Sequence, residues 1–111
     1  KMSELLSKQC IPCSVGDIPL SEEEVKEYVS DLGQGWELND KGRITKTYTF
    51  KDFKEALDFV NKIGEVAEQE GHHPSIHLSW GKVVVFFWTN KIKGLHMNDF
   101  IMAAKVDDLL K

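Results

Sequence analysis

Apolar residues along the chain switch between a helical and a strand period, and Gly, Pro and Asn mark the switches. Residues 1–19 carry Pro12, Gly16 and Pro19 and read as an extended arm. Ser21-Glu22-Glu23-Glu24 is a capping box, in which the Ser21 hydroxyl takes an N3 amide and Glu24 reaches back to the cap. Leu20 and Val25 occupy the staple positions beside it. The helix this predicts runs to about Leu32, with Val25, Tyr28, Val29 and Leu32 on one stripe. Gly33 and Gly35 stop it. Trp36-Glu37-Leu38 alternates as a short strand, Asn39-Asp40-Lys41-Gly42 is a turn, and Arg43 to Phe50 is the return strand of a hairpin. A second helix is predicted from about Asp52 to Glu70, on Phe53, Ala56, Leu57, Val60, Ile63, Val66 and Ala67, and Gly71 ends it. Ile76, Leu78 and Trp80 then alternate with Ser75, His77 and Ser79 as a half-buried strand. After Gly81, Lys82 to Thr89 is apolar enough for a central strand. Lys93-Gly94 breaks the chain before a last helix from about Met97 to Leu110.

The order α-ββ-α-ββ-α makes this an α+β protein: a four-stranded antiparallel sheet with helices packed on one face. The other face is then solvated, or buried against a ligand or a second subunit. Residues 20–111 are expected to form a single domain behind the arm.

Composition narrows the function. The chain has 111 residues, 41% hydrophobic and 29% charged, which suits one globular domain. A formal charge of −4 argues against a nucleic-acid binder, which needs a basic surface to displace phosphate counterions. No apolar run approaches the length of a membrane span; the longest, Val83 to Trp88, has a strand's length. The N-terminus lacks the apolar stretch of a signal peptide, so a cytoplasmic protein is expected. Lys1 ahead of Met2 leaves room for a missing upstream targeting segment. Cys10 and Cys13 form one Cys-x-x-Cys, readable as a redox pair, half a zinc site or two reduced thiols. No βαβ context or nearby second ligand pair supports the first two, so reduced thiols are expected.

The candidate chemistry lies in His72, His73, His77 and His96. His72-His73-Pro74 sits between a helix end and a strand start, and Pro74 holds His73 in extended backbone. Imidazole is the side chain suited to proton transfer near neutral pH. Glu68, one helical turn before His72, is placed to accept an imidazole N–H and fix its tautomer. A metal pair at His73 and His77 would need helical spacing; on a strand they lie about 13 Å apart, too far to share one ion. No metal is expected.

The ordered set Glu68-x-x-x-His72-His73-Pro74, then Trp80, Gly94-Leu95 and Asp99, resembles the signature of the pterin-4a-carbinolamine dehydratases, over about residues 20 to 110. The resemblance implies the α-ββ-α-ββ-α sandwich, a homodimer or homotetramer, and a pterin as small-molecule substrate. It implies loss of water from a 4a-hydroxytetrahydropterin to give quinonoid dihydropterin, a step of tetrahydrobiopterin recycling, with no metal or redox cofactor. Carried over by position, His72 is an acid/base histidine and His73 binds and orients the pterin. Glu68 and Asp99 are acidic positions around the site, Pro74 follows the histidine pair, and Trp88-Thr89 lines the pocket at a strand end. Where the family usually has histidine or tryptophan, this chain has Asn90, a carboxamide that hydrogen-bonds but does not titrate near neutral pH. Asn90 is then a positioning group beside His72, or the mark of a slow or face-restricted enzyme. A second reading is a weakened homologue serving as a pterin-binding or protein-binding regulatory module, of the dimerisation-cofactor type. His96 is either a replacement proton donor or the cap of the last helix, and His77 an outward-facing strand residue.

Overall fold

The computed structural model describes residues 2–11, 17–32 and 34–110. Cys13 and the Gly33 stop signal lie outside them. The elements are α1 (Met2–Ser7), α2 (Glu22–Asp31), β1 (Glu37–Leu38), β2 (Ile44–Thr49), α3 (Phe53–Glu70), β3 (Ser75–Ser79), β4 (Lys82–Phe87), a 3₁₀ turn (Asn90–Ile92) and α4 (Met97–Asp108). The strands form one antiparallel sheet in the order β1-β2-β4-β3, so β4 is central, as its apolar run requires. This is the α+β architecture expected from periodicity.

The register sorts the side chains by face. Ile44 opposite Phe87, Tyr48 opposite Val83 and Ile76 opposite Val85 point into the core. Thr45, Thr47, Ser75 and His77 lie on the other face beside Val84 and Phe86. His77 is exposed there, as expected of an outward strand position. Asp52 caps α3 by accepting the Glu55 amide at 2.9 Å. Ala56, Phe59, Ile63 and Ala67 then recur at helical spacing and are buried on the sheet. Phe59 meets the rings of Tyr48 and Phe50 at 4.8 and 5.2 Å. Truncating a ring so enclosed typically costs about 3–5 kcal/mol.

α4 is buried on nearly every side. Every residue from Asn98 to Ala104 is shielded from solvent, and Phe100 packs on Tyr28 of α2 at 5.4 Å. A helix apolar all round belongs inside, and Phe100-Ile101-Met102-Ala103-Ala104 is such a run. Near its C-terminal end Asp107 accepts from Trp36 Nε1 (2.9 Å), Lys46 Nζ (2.8 Å) and the Tyr48 hydroxyl. Burial, then the hydrogen bond and charge of Asp107, push the Tyr48 hydroxyl far above its ordinary pKa of 10.0.

Over Met2–Ser7 the structure departs from the expected extended arm; Pro12 and Gly16 lie outside the described residues. Met2–Ser7 is a helix, and Leu5, only 3% exposed, belongs to the core cluster. Six residues do not hold a helix alone. Packing against α4 holds this one. No helix among the described residues is long and apolar enough to cross a membrane.

Candidate active site

α3 ends where Gly71 enters the left-handed region (φ 68°), with its N–H and that of His72 both donating to the Ala67 carbonyl. The turn sends the two histidines in different directions. His72 goes inward: its side chain is 11% exposed, it lies parallel to the Phe87 ring, and its Nε2 is 2.7 Å from Asp99 Oδ1. His73 goes outward, with 59% of its side chain exposed, and pairs with the carboxylate of Glu68, itself 78% exposed.

Asp99 is supplied by the start of α4. His96 is the N-cap, its Nδ1 accepting the Asn98 amide at 3.0 Å, and Asp99 at N3 takes the His96 N–H at 2.9 Å. The Thr89 hydroxyl donates to the same Oδ2 at 2.7 Å. Asp99 is fully buried, yet three donors and the helix N-terminus surround its carboxylate, which satisfies the conditions for burying a charge. With Asp99 accepting from Nε2–H, neutral His72 keeps its lone pair on Nδ1.

His72, His73, Trp88, Thr89 and Asn90 line one pocket of about 550 Å³, closed on other sides by Cys10, Ile11, Glu70, Gly71, Lys91 and Asn98. A smaller hollow of about 280 Å³ adjoins it across His73, Trp88 and Asn90 and reaches Arg43, whose guanidinium sits 4.6 Å over the Trp88 ring. Asn90 is exposed at the start of the 3₁₀ turn.

Three expected site residues fall elsewhere. Glu68 partners His73 rather than His72, because the helix ends before His72 and i, i+4 spacing no longer applies. Asp99 lies behind His72 and is closed to any ligand. Pro74 is half-buried and does not line the pocket. Thr89 is at the wall, but its hydroxyl is committed to Asp99. His96 is the helix cap. Sequence reading missed Cys10, Ile11, Glu70, Lys91 and Asn98 as lining residues. Cys10 stands in the Cys-x-x-Cys, which gives no sign of a pocket; no periodicity or motif marks the others, and four segments bring the set together: the N-terminal segment, the end of α3, the 3₁₀ turn and the start of α4. Among the described residues no group of three or more His, Cys, Asp or Glu side chains is arranged to hold a metal ion.

A family model described as pterin 4 alpha carbinolamine dehydratase matches residues 18–109. A protein of Alkaliphilus metalliredigens, provisionally named a pterin-4-alpha-carbinolamine dehydratase, is 50% identical over 106 residues, covering 96% of each chain. A Rickettsia canadensis protein with the same provisional name is 47% identical over 106 residues, covering 96% of this chain and 97% of its own. Among solved structures, the transcriptional coactivator/pterin dehydratase of Brucella melitensis superposes with a TM-score of 0.79 at 31% identity, covering 84% of this chain and 99% of its own. A pterin dehydratase-like protein described as a RuBisCO assembly factor in the alpha-carboxysome has a TM-score of 0.59 at 20% identity over 68% of this chain and 89% of its own, and shares the fold.

Proposed function

The chain belongs to the pterin 4 alpha carbinolamine dehydratase family, and we propose that it dehydrates a 4a-hydroxytetrahydropterin to quinonoid dihydropterin. The reaction breaks the C4a–O bond as the N5 lone pair forms C4a=N5. The leaving hydroxyl takes up a proton and departs as water, while N5 gives up its proton. No electrons leave the substrate, so one well-placed acid/base group that accepts the N5 proton and returns it to the hydroxyl is sufficient.

His72 is that group. The observation that carries the reading is the 2.7 Å bond from His72 Nε2 to fully buried Asp99, beside a pocket of about 550 Å³. Asp99 fixes the imidazole so that Nδ1 is a base, and its charge stabilises the imidazolium formed after proton transfer. A positioned imidazole of this kind contributes about 10²–10⁴-fold. His73, turned outward and paired with Glu68, binds and orients the pterin at the rim. Asn90 hydrogen-bonds the leaving hydroxyl or the departing water and carries no proton itself.

The test follows the breakdown of a freshly generated 4a-carbinolamine pterin by absorbance. Acceleration over buffer is expected, and His72→Ala should lose most of it. A fully active His72→Ala protein overturns the acid/base assignment.

Asn90 itself favours a second reading, a pterin-binding or protein-binding regulatory module with weakened catalysis. In the same assay, a wild type no faster than buffer together with an active Asn90→His variant selects that reading. Activity already present in the wild type, kept or raised by Asn90→His, removes it.

A further inference from the structure

The family model begins at residue 18, yet the pocket has a wall that comes from further upstream. Cys10 and Ile11 line the cavity that holds His72, His73 and Asn90. Their backbone is fastened there by side chains from the far end of the sequence. The Asn98 carboxamide grips Ile11 at both ends: Oδ1 accepts the Ile11 N–H at 3.0 Å, and Nδ2 donates to the Ile11 carbonyl at 2.6 Å. Cys10 N–H donates to Glu70 Oε1 at 2.9 Å. Lys105, 3.9 Å from Glu70, donates to the Leu6 carbonyl at 3.3 Å. Below these, Leu5 is buried in the core cluster.

The chemistry of the clamp decides what the wall offers. Both polar backbone groups of Ile11 are used by Asn98, so the residue presents only its branched hydrocarbon. Ile11 is 61% exposed, so this hydrocarbon is open to a ligand in the pocket. Asn98 is itself 2% exposed and stands next in sequence to Asp99, so one turn of α4 fixes both the acid/base histidine and the wall near it.

We propose that Ile11 is a substrate-contacting residue of the pocket, covering an apolar part of the bound bicyclic ring, and that Asn98 is the positioning residue that holds it there. This rests on the dehydratase reading for the identity of the ring, but not for the existence of the wall. Binding contact made equally with substrate and transition state moves KM and leaves kcat.

The experiment measures two things on the full chain: KM and kcat for dehydration, and the Kd of an oxidised pterin by fluorescence titration, which needs no turnover. Ile11→Ala removes exposed hydrocarbon and should fold normally. It is expected to raise KM and Kd about five-fold, from the methyl and methylene groups no longer covered by ligand, with kcat within about two-fold. Asn98→Ala, read by the same Kd titration, should weaken oxidised-pterin binding by at least as much, and an unchanged Kd there overturns the positioning role of Asn98. If Ile11→Ala leaves KM and Kd where they were, or lowers kcat at constant KM, the inference is wrong. If the wild type binds the oxidised pterin but dehydrates nothing, the dehydratase reading falls, while a five-fold weaker Kd for Ile11→Ala still supports the wall.

Discussion

Replacing Asp99 with asparagine separates shape from charge at the point where fold and chemistry meet. The carboxylate has one donor on Oδ1, His72 Nε2, and two on Oδ2, the Thr89 hydroxyl and the His96 amide. The Thr89 hydroxyl can rotate, but the His96 N–H is fixed by the helix start. An asparagine oxygen therefore belongs on the Oδ2 side, and its NH₂ faces His72 Nε2. Two N–H groups cannot share that contact, so the imidazole proton moves to Nδ1. The nitrogen left to act as base then becomes a donor. We expect Asp99→Asn to lose about 10²–10⁴-fold in kcat, the usual share of a positioned acid/base group. Exchanging charge-assisted for neutral hydrogen bonds in a buried site should also cost about 1–2 kcal/mol of stability, a fall of several degrees in Tm. The dehydration assay gives the first number, calorimetry the second, and ¹⁵N chemical shifts of the histidine ring report the tautomer. A variant that retains kcat within about three-fold, with His72 still protonated on Nε2, would refute the assignment of Asp99 as the group that orients the base.

Two further outcomes follow from the packing. Above pH 10 the unfolded chain ionises Tyr48 while the folded chain, with that pKa raised, keeps the proton, so stability falls with rising pH by up to about 1.4 kcal/mol per unit. Below pH 10 this contribution is fully present, and urea titrations should give Tyr48→Phe a shallower alkaline slope than wild type; equal slopes would count against the Tyr48–Asp107 bond. Phe53 and Leu57 stand exposed along α3, and light scattering is expected to find a dimer or tetramer whose mass drops on Leu57→Lys. A wild type that is monomeric at high micromolar concentration rejects that assembly.

Local signals carried most of the fold. Ser21 and Glu24 form the predicted box, with bonds of 3.2 and 2.9 Å, and the 3.6-residue spacing of Ala56, Phe59, Ile63 and Ala67 found the buried face of α3. Alternation in Ile76 and Leu78 gave the correct face of β3. The departures have two causes, one a contact across a long separation and the other a local break in a helix. The start of the arm looked extended because nothing local favours a lone helix of six residues, and Leu5 gains its burial only from the core around α4. Glu68 looked like the partner of His72 because the two are four apart, a rule that needs an unbroken helix, and Gly71 breaks it.

The partner His72 does have lies 27 residues away, in a position whose local role is already complete. As the N3 residue of a capping box, Asp99 would start α4 whether or not a histidine reached it. Its second oxygen is what the start of α4 leaves over for His72, and burial makes that contact count, because an unpaired carboxylate edge there would be costly. The end of α3 and the start of α4 therefore dock through the His72–Asp99 bond. On the dehydratase reading this bond also fixes the tautomer of the base, so a substitution at Asp99 is expected to change catalysis and stability together, whereas Ile11 and His73, which line the pocket and make no bond to Asp99, are expected to change binding with little effect on stability.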